Sequence, residues 1–218
     1  MIKVLLVDDH ELVRMGMSRM LSDVNDITVV GEACNGEDAL AMVRKLKPTV
    51  VLMDVQMPGI GGIEATRKLA HSFPQVAILV VTICEEEPFP SRILKAGALG
   101  YITKGTGLQE MVLAIRKVAS GQRYLSSDVA AQLAGNWLEK DKITESPFEL
   151  LSEREMQVAM MIVNCQSNQE IADSMFISPK TISTYRYRIY EKLDVDSDVK
   201  LTHLALRFGF VQSNDKNA

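Results

Sequence analysis

The chain has 218 residues, of which 47% are hydrophobic, and a formal net charge of −4. This length suits one large or two small domains with packed cores, and no apolar run approaches the about 18 residues of a membrane span. The net charge gives no global signal for nucleic-acid binding, so charge has to be examined segment by segment. The first residues run directly into a predicted strand without the layout of a signal peptide.

The three cysteines are scattered and form no C-x-x-C pair, which disfavours a disulfide framework or a zinc site. A reducing cytoplasm is therefore the expected compartment. We expect Cys34, Cys84 and Cys165 to be small buried side chains.

Apolar strands alternate with amphipathic stretches over residues 1–120. The predicted strands are 2–7, 27–32, 49–54, 76–82 and 99–103, and the predicted helices are 11–22, 36–47, 62–72, 88–97 and 107–120. Five βα units with largely apolar strands indicate a parallel sheet that is covered on both faces. The predicted fold of this domain is therefore α/β, a doubly wound (βα)5 sheet.

Only helical signals follow after residue 147. Residues 121–147 are predicted to be a linker with one short helix over 126–138. Residues 148–208 are predicted to form a small all-α domain with helices ending near 163 and spanning 168–174, 178–193 and 198–208. Ser152 and Glu155 form a capping box at the start of the first helix, and Ser178-Pro179 opens the third. The expected core of this domain is Val158, Ile162, Ile171, Ala172, Ile182, Ile189 and Leu193.

Polar residues stand at the points where four of the predicted strands end. Asp8 and Asp9 follow the first strand, Asp54 and Thr82 end the third and the fourth, and Lys104 follows the fifth. Because ligand sites in open parallel sheets form at the strand ends, these residues should share one pocket. Clustered carboxylates repel one another unless a cation lies between them, and Mg²⁺ prefers a few carboxylates, a carbonyl and waters. The hydroxyl and the ammonium would face an anion, such as a phosphoryl group on one carboxylate.

Residues 1–120 resemble the receiver domain of two-component response regulators. The resemblance implies that Asp54 attacks the phosphohistidine of a sensor histidine kinase and becomes an acyl phosphate. It also implies that Asp9 binds Mg²⁺ directly, Asp8 through water, and Gln56 through its backbone carbonyl. The residues that carry the likeness are Asp8-Asp9, Asp54-Val55-Gln56-Met57-Pro58, Thr82, Tyr101 and Lys104.

The same resemblance implies a conformational switch. Lys104 would pair with a phosphoryl oxygen, the Thr82 hydroxyl would move to meet the phosphoryl group, and Tyr101 would swing inward into the space that Thr82 leaves. An ordinary half-buried aromatic residue is the alternative for Tyr101. The chain departs from many receivers in having Gly105 after the lysine and Gly61 where an acidic residue is common, but neither position takes part in the implied chemistry.

The segment 178–192 carries four basic residues and one acidic residue, a net charge of +3. Helix-turn-helix proteins consist of a helix, a short turn and a second helix that carries positive charge. A solvated amphipathic helix is the alternative. The motifs of this region, however, resemble the LuxR-type helix-turn-helix; they are Leu151-Ser152-Glu153-Arg154-Glu155, Ser167-Asn168-Gln169-Glu170-Ile171-Ala172 and Lys180-Thr181-Ile182-Ser183-Thr184-Tyr185.

The whole chain is therefore similar to NarL/FixJ-family response regulators and, within that family, to the GacA/UvrY type. The likeness implies that helix 178–192 enters the major groove of promoter DNA, with Ser183, Thr184 and Tyr187 facing base edges. It implies phosphate contacts from Lys180, Thr181, Arg186 and Arg188. Further implications are a donor kinase of the hybrid type and a homodimer when Asp54 is phosphorylated.

Three alternatives remain open. The first is a phosphohydrolase that passes through an aspartyl phosphate, but such enzymes usually place a second Asp where Gln56 stands. The second is a DNA-binding protein that does not depend on phosphorylation, against which the complete receiver residue set argues. The third is an output domain for RNA or protein, although no aromatic and basic sheet surface is apparent.

Overall fold

The computed structural model describes residues 1–82, 89–127, 129–131 and 146–208. The chain divides into an N-terminal unit that ends at residue 139 and a C-terminal unit that begins at residue 140. Among the helices of the described ranges, none combines the length and the apolar character that crossing a bilayer requires.

A parallel sheet of six strands forms the centre of the N-terminal unit. The strands are β1 (Ile2–Val7), β2 (Ile27–Ala33), β3 (Val50–Met53), β4 (Ala77–Thr82), β5 (Gly100–Thr103) and β6 (Tyr124–Leu125). Their order is β2-β1-β3-β4-β5-β6, and all neighbours pair in parallel. The order reverses between β1 and β3, the kind of position at which ligands bind beyond the carboxyl ends of the strands.

Helices cover both faces of this sheet. They are α1 (Glu11–Ser22), α2 (Gly36–Leu46), α3 (Gly61–Ser72), α4 (Phe89–Lys95) and α5 (Leu108–Ala119). On one face α1 packs against α5, and on the other α3 contacts both α2 and α4. Every residue of β3 and β4 is buried, as expected for strands that lie between two helical layers.

The predicted doubly wound α/β fold is confirmed, and the described strands and helices begin and end within two residues of the predicted positions. The predicted number of strands was wrong by one. Tyr124 and Leu125, which we assigned to the linker, pair with Gly100 and Tyr101 of β5 and form β6. A strand of two residues is too short to show an alternating pattern in the sequence.

Four α-helices form the C-terminal unit over residues 146–208, after a 3₁₀ turn at Pro147–Leu150. They are α6 (Glu153–Val163), α7 (Asn168–Met175), α8 (Pro179–Leu193) and α9 (Asp198–Arg207). Each begins after a serine N-cap whose side chain accepts a backbone N–H, an arrangement that satisfies one of the free donors of a helix start. The seven residues predicted as the core of this domain are all buried.

The turn between α7 and α8 has the form that the sequence predicts for a helix-turn-helix. Phe176 ends α7 in the left-handed conformation, with φ of 55°, and the N–H of Ile177 donates to the carbonyl of Ala172 (3.0 Å). Ser178 then caps α8, and Pro179 is its first residue. A non-glycine residue in this conformation costs about 1 kcal/mol or more, so surrounding contacts must hold the turn.

The prediction of buried cysteines was wrong for two of the three. Cys34 and Cys165 are exposed because both lie in loops, Cys34 between β2 and α2 and Cys165 directly after α6. Cys84 lies outside the described residues, as does most of the helix predicted over 126–138. The described residues 127 and 129–131 at its start are helical.

Candidate functional site

The carboxyl ends of four strands bring the predicted polar residues to one edge of the sheet. The N–H of Asp54 donates to the carbonyl of Val7 (2.8 Å), which places Asp54 beside Asp8. The N–H of Lys104 donates to the carbonyl of Thr82 (3.0 Å) in the same way on the next pair of strands. The parallel pairing therefore continues one residue past β3 and one residue past β5, which aligns the side chains.

A single ammonium group lies between two buried carboxylates. Nζ of Lys104 is 2.6 Å from Oδ2 of Asp8 and 3.0 Å from Oδ2 of Asp54. The side chains of Asp8 and Asp54 are 1% and 2% exposed, whereas that of Lys104 is 17% exposed. The other carboxylate oxygen of Asp54 accepts the N–H of Val55 at 2.7 Å. Asp54 is thus held in one orientation at the bottom of the site.

The charges of this site are only partly balanced. Burial raises the pKa of Asp54 from 3.8 to about 6; the charge of Lys104 opposes the shift and the charge of Asp8 adds to it. Burial lowers the pKa of Lys104, but the bonds to Asp8 and Asp54 outweigh this effect and raise it overall. The two carboxylates therefore favour additional positive charge at this edge of the sheet.

His10 extends the acidic cluster and was not among the predicted site residues. Ligand atoms of Asp8, Asp9, His10 and Asp54 all lie within 4.8 Å of one another. Nδ1 of His10 is 2.9 Å from Oδ1 of Asp9, and the backbone N–H of His10 donates to Oδ1 of Asp8 (2.9 Å). The only signal in the sequence was its position directly after the acidic pair.

The donors of this site fit a divalent cation. The site contains three carboxylates and one ammonium, so negative charge is in excess, and the carboxylates of Asp8 and Asp54 are shielded from water. Carboxylate oxygens are the ligands that hard cations such as Mg²⁺ prefer. Asp8, Asp9 and Asp54 could therefore bind a metal ion.

The remaining predicted residues of the site differ in burial. Thr82 and Tyr101 are fully buried, and the side chain of Gln56 is exposed. Tyr101 is therefore more buried than the half-buried alternative expects, and it already lies inward in this structure, so its inward swing stays a prediction. An exposed side chain at Gln56 is compatible with a role for its backbone carbonyl alone.

Most of the residues predicted to contact DNA lie on the outward side of α8. At 3.6 residues per turn, Lys180, Thr184, Tyr187 and Arg188 share one face of this helix, and Ser183 lies next to them. The exposed residues of the predicted set are Lys180, Thr181, Ser183, Thr184, Tyr187 and Arg188.

Two basic residues of α8 are instead paired within the C-terminal unit. Arg186, whose side chain is 21% exposed, forms an ion pair with Asp198. Nζ of Lys192 is 2.6 Å from Oε2 of the buried Glu155. The outward charge of the helix is therefore smaller than the four basic residues of its sequence suggest.

Comparison with protein families identifies both units. Residues 4–116 match the family model "Response regulator receiver domain", and residues 149–205 match "Bacterial regulatory proteins, luxR family". The chain therefore belongs to the response regulators, with a receiver domain and a LuxR-type DNA-binding domain that regulates transcription. The predicted family is confirmed.

Individual relatives are similar over nearly the whole chain. Response regulator GacA of Pseudomonas syringae pv. syringae is 58% identical over 98% of this chain and 100% of its own length. Response regulator UvrY of Escherichia coli K12 is 54% identical over 96% of this chain and 95% of its own. RcsB of Salmonella enterica serovar Typhimurium, solved on promoter rprA with the phosphomimetic BeF3-, is 25% identical, with a TM-score of 0.63 over 94% of this chain and 98% of its own.

Proposed function

We propose that Asp54 is the phosphoacceptor of this response regulator and that a sensor histidine kinase of the hybrid type supplies the phosphoryl group. The observation that supports this assignment best is a buried carboxylate at a strand end, held by Lys104 and adjoined by Asp8 and Asp9. Asp54 offers the nucleophilic oxygen, while its neighbours offer the charges that a phosphoryl group requires.

In the proposed transfer, an oxygen of Asp54 attacks the phosphorus atom of the kinase phosphohistidine. The P–O bond forms while the P–N bond breaks, and the leaving imidazole takes up a proton. Lys104 is placed to pair with one phosphoryl oxygen. Thr82 lies beside it at the end of the adjacent strand β4, where its hydroxyl would donate to a second phosphoryl oxygen. Positioning and charge neutralisation dominate phosphoryl transfer, and these side chains provide both.

Mg²⁺ is the proposed cofactor of this step. Asp9 and Asp54 would bind it directly, Asp8 through water, and Gln56 through its backbone carbonyl. The bound ion would supply the positive charge that neutralises the phosphoryl oxygens. The excess of carboxylates over ammonium groups at the site supports this choice.

Phosphorylation is proposed to act as a conformational switch. It adds close to two negative charges and three acceptor oxygens next to Lys104, so that the contacts of this side chain with Asp8 and Asp54 must rearrange. Thr82 on β4 and Tyr101 on β5 are both buried, and they are proposed to move first. A ligand shifts a conformational equilibrium only by its differential affinity for the two states. The phosphoryl group must therefore stabilise one conformation of the receiver more than the other.

Double-stranded promoter DNA is the proposed target of α8, which would enter the major groove. Ser183, Thr184 and Tyr187 would face base edges, and Lys180, Thr181 and Arg188 would contact phosphates. A homodimer of the phosphorylated protein is the proposed binding form. The RcsB structures support this reading, because one contains promoter DNA with a phosphomimetic and another contains two RcsB dimers on two parallel DNAs.

We further propose that the protein acts in the cytoplasm and turns over no external substrate. Gln56 stands where aspartyl-phosphate hydrolases usually have their acid-base Asp, which disfavours the enzymatic alternative. The proposed division is a receiver over 1–120, a linker over 121–147 and a DNA-binding domain over 148–208.

Labelling with a phosphorylated donor tests the assignment of Asp54. The full chain should take up phosphate from a phosphorylated histidine kinase domain or from acetyl phosphate only when Mg²⁺ is present. Asp54→Asn should abolish the uptake, whereas Asp23→Asn, at a carboxylate that is 75% exposed, should leave it unchanged. Labelling that persists in the Asp54 variant would refute the assignment.

A further inference from the structure

Arg186 joins three helices of the C-terminal unit through one guanidinium group. Its Nη1 donates to Oδ1 of Asn168 on α7 (3.0 Å), and its Nη2 donates to the hydroxyl of Tyr190 on α8 (3.2 Å). Nη2 also forms an ion pair with Asp198, the first residue of α9, and the hydroxyl of Tyr190 donates to the same carboxylate. Hydrogen bonds that include a charged partner are about twice as strong as neutral ones.

Arg186 belongs to the buried side of α8 by its position in the sequence. It follows Ile182 by four residues and precedes Ile189 by three, which is the spacing of one helix face. Both isoleucines are completely buried, whereas Thr184 and Arg188, two residues to either side of Arg186, are exposed. To reach a DNA phosphate, the guanidinium would have to leave partners on both neighbouring helices.

The network also reaches a residue of the outward face. The side chain of Asn168, which accepts from Arg186, donates through Nδ2 to Oγ of Ser183 (3.4 Å). Ser183 is one of the residues proposed to face base edges. The side-chain amide of Asn168 therefore links the hydroxyl of Ser183 to the guanidinium of Arg186.

We propose that Arg186 is a positioning residue that holds the recognition helix α8 against α7 and α9 and does not contact a DNA phosphate. This inference rests on the proposed role of α8 in DNA binding, and it replaces the phosphate contact that the family resemblance implies for Arg186. Arg188, which is exposed two residues further on, remains a phosphate contact and serves as the matched control.

DNA titrations with the full chain distinguish the two roles. The probes are a duplex that the wild type selects from a random-sequence pool and a scrambled duplex of the same composition, each titrated over a range of salt concentrations. Arg186→Met should lower affinity for the selected duplex about tenfold or more and leave the salt slope unchanged. Arg188→Met should weaken binding to both duplexes and reduce the slope by about 0.9 per protein copy, the value for one lost phosphate contact.

Asp198→Ala gives a test in which the two roles predict different changes in DNA affinity. The variant keeps the positive charge of Arg186 but removes its partner on α9. A positioning role predicts weaker binding to the selected duplex, and the double variant with Arg186→Met should be no worse than either single one. A phosphate-binding role predicts unchanged or tighter binding, because the guanidinium becomes free; that result would overturn the proposal.

Amide hydrogen exchange tests the positioning role without DNA. Arg186→Met and Asp198→Ala should increase exchange in α8 more than in α6, while Arg188→Met should not. Wild-type exchange of α8 in Arg186→Met would overturn the proposal. Failure of the wild type to select any duplex would instead refute DNA binding by α8 and leave the exchange result to decide whether Arg186 positions the helix.

Discussion

Replacing Lys104 with methionine should destabilise the receiver unit by about 3 kcal/mol in the absence of divalent cations. Removal of the ammonium leaves the carboxylates of Asp8 and Asp54, which are 1% and 2% exposed, without the cation that they share. Breaking a buried pair by removing one partner costs about 3–5 kcal/mol. The lower value applies because the pKa of Asp54 is already raised to about 6 by burial, so that protonation can relieve part of the repulsion.

Amide hydrogen exchange in β1 and β3 measures the loss of stability of the receiver unit alone. The exchange is compared between wild type and Lys104→Met in EDTA. Mg²⁺ should restore most of the lost stability, because a divalent ion can replace the missing ammonium. Lys68→Met removes an exposed side chain near Glu64 and should cost less than about 0.5 kcal/mol. A difference below about 0.5 kcal/mol for Lys104→Met in EDTA, or equal stabilisation of both proteins by Mg²⁺, would refute the shared-cation reasoning.

Three further substitutions, one of them a control, test other parts of the structure. A Cβ at Gly62 would lie 1.8 Å from the backbone oxygen of Asp54, so Gly62→Ala should displace the phosphoacceptor and slow its labelling by acetyl phosphate. Gly16→Ala, in open space on α1, should stabilise by up to about 1 kcal/mol, and equal labelling of the two variants would contradict the first expectation. Burial raises the pKa of Glu155, but hydrogen bonds from Lys192 and from the capping box lower it overall, so the carboxylate stabilises the fold above its unfolded pKa of 4.5. Glu155→Gln should therefore speed amide exchange in α6 at pH 7, and the difference from wild type should shrink as pH falls below 4.5 and through the lowered pKa of Glu155; a pH-independent difference would be inconsistent with this linkage.

Most of the receiver site could be predicted from the sequence because its predicted residues stand at the ends of apolar strands. Asp8, Asp54, Thr82 and Lys104 needed only the rule that parallel strands end at one edge of a sheet. The serine caps at Ser152 and its three counterparts likewise lie beside the helices that they start, so local sequence determines them. Patterns of this kind involve residues that are near one another in the chain.

Contacts between distant side chains could not be predicted in this way. Arg186 and Lys192 were counted as free charges of α8, but their partners Asp198 and Glu155 lie 12 and 37 residues away. Pairing of this kind depends on how the helices pack. Asp198 shares no recognisable sequence motif with Arg186, and Glu155 shares none with Lys192. Only the helical spacing of Arg186 relative to the buried Ile182 indicates an inward position for its side chain.

The response of DNA binding to phosphorylation at Asp54 tests most directly whether this residue controls the output. The full chain and its Asp54→Asn variant are each treated with acetyl phosphate and Mg²⁺ and titrated with a duplex that the wild type selects. Wild-type affinity should rise about tenfold, which corresponds to about 1.4 kcal/mol, whereas the affinity of the variant should not change. An equal response of both proteins, or no response of a wild type that is demonstrably phosphorylated, would contradict control of DNA binding by Asp54.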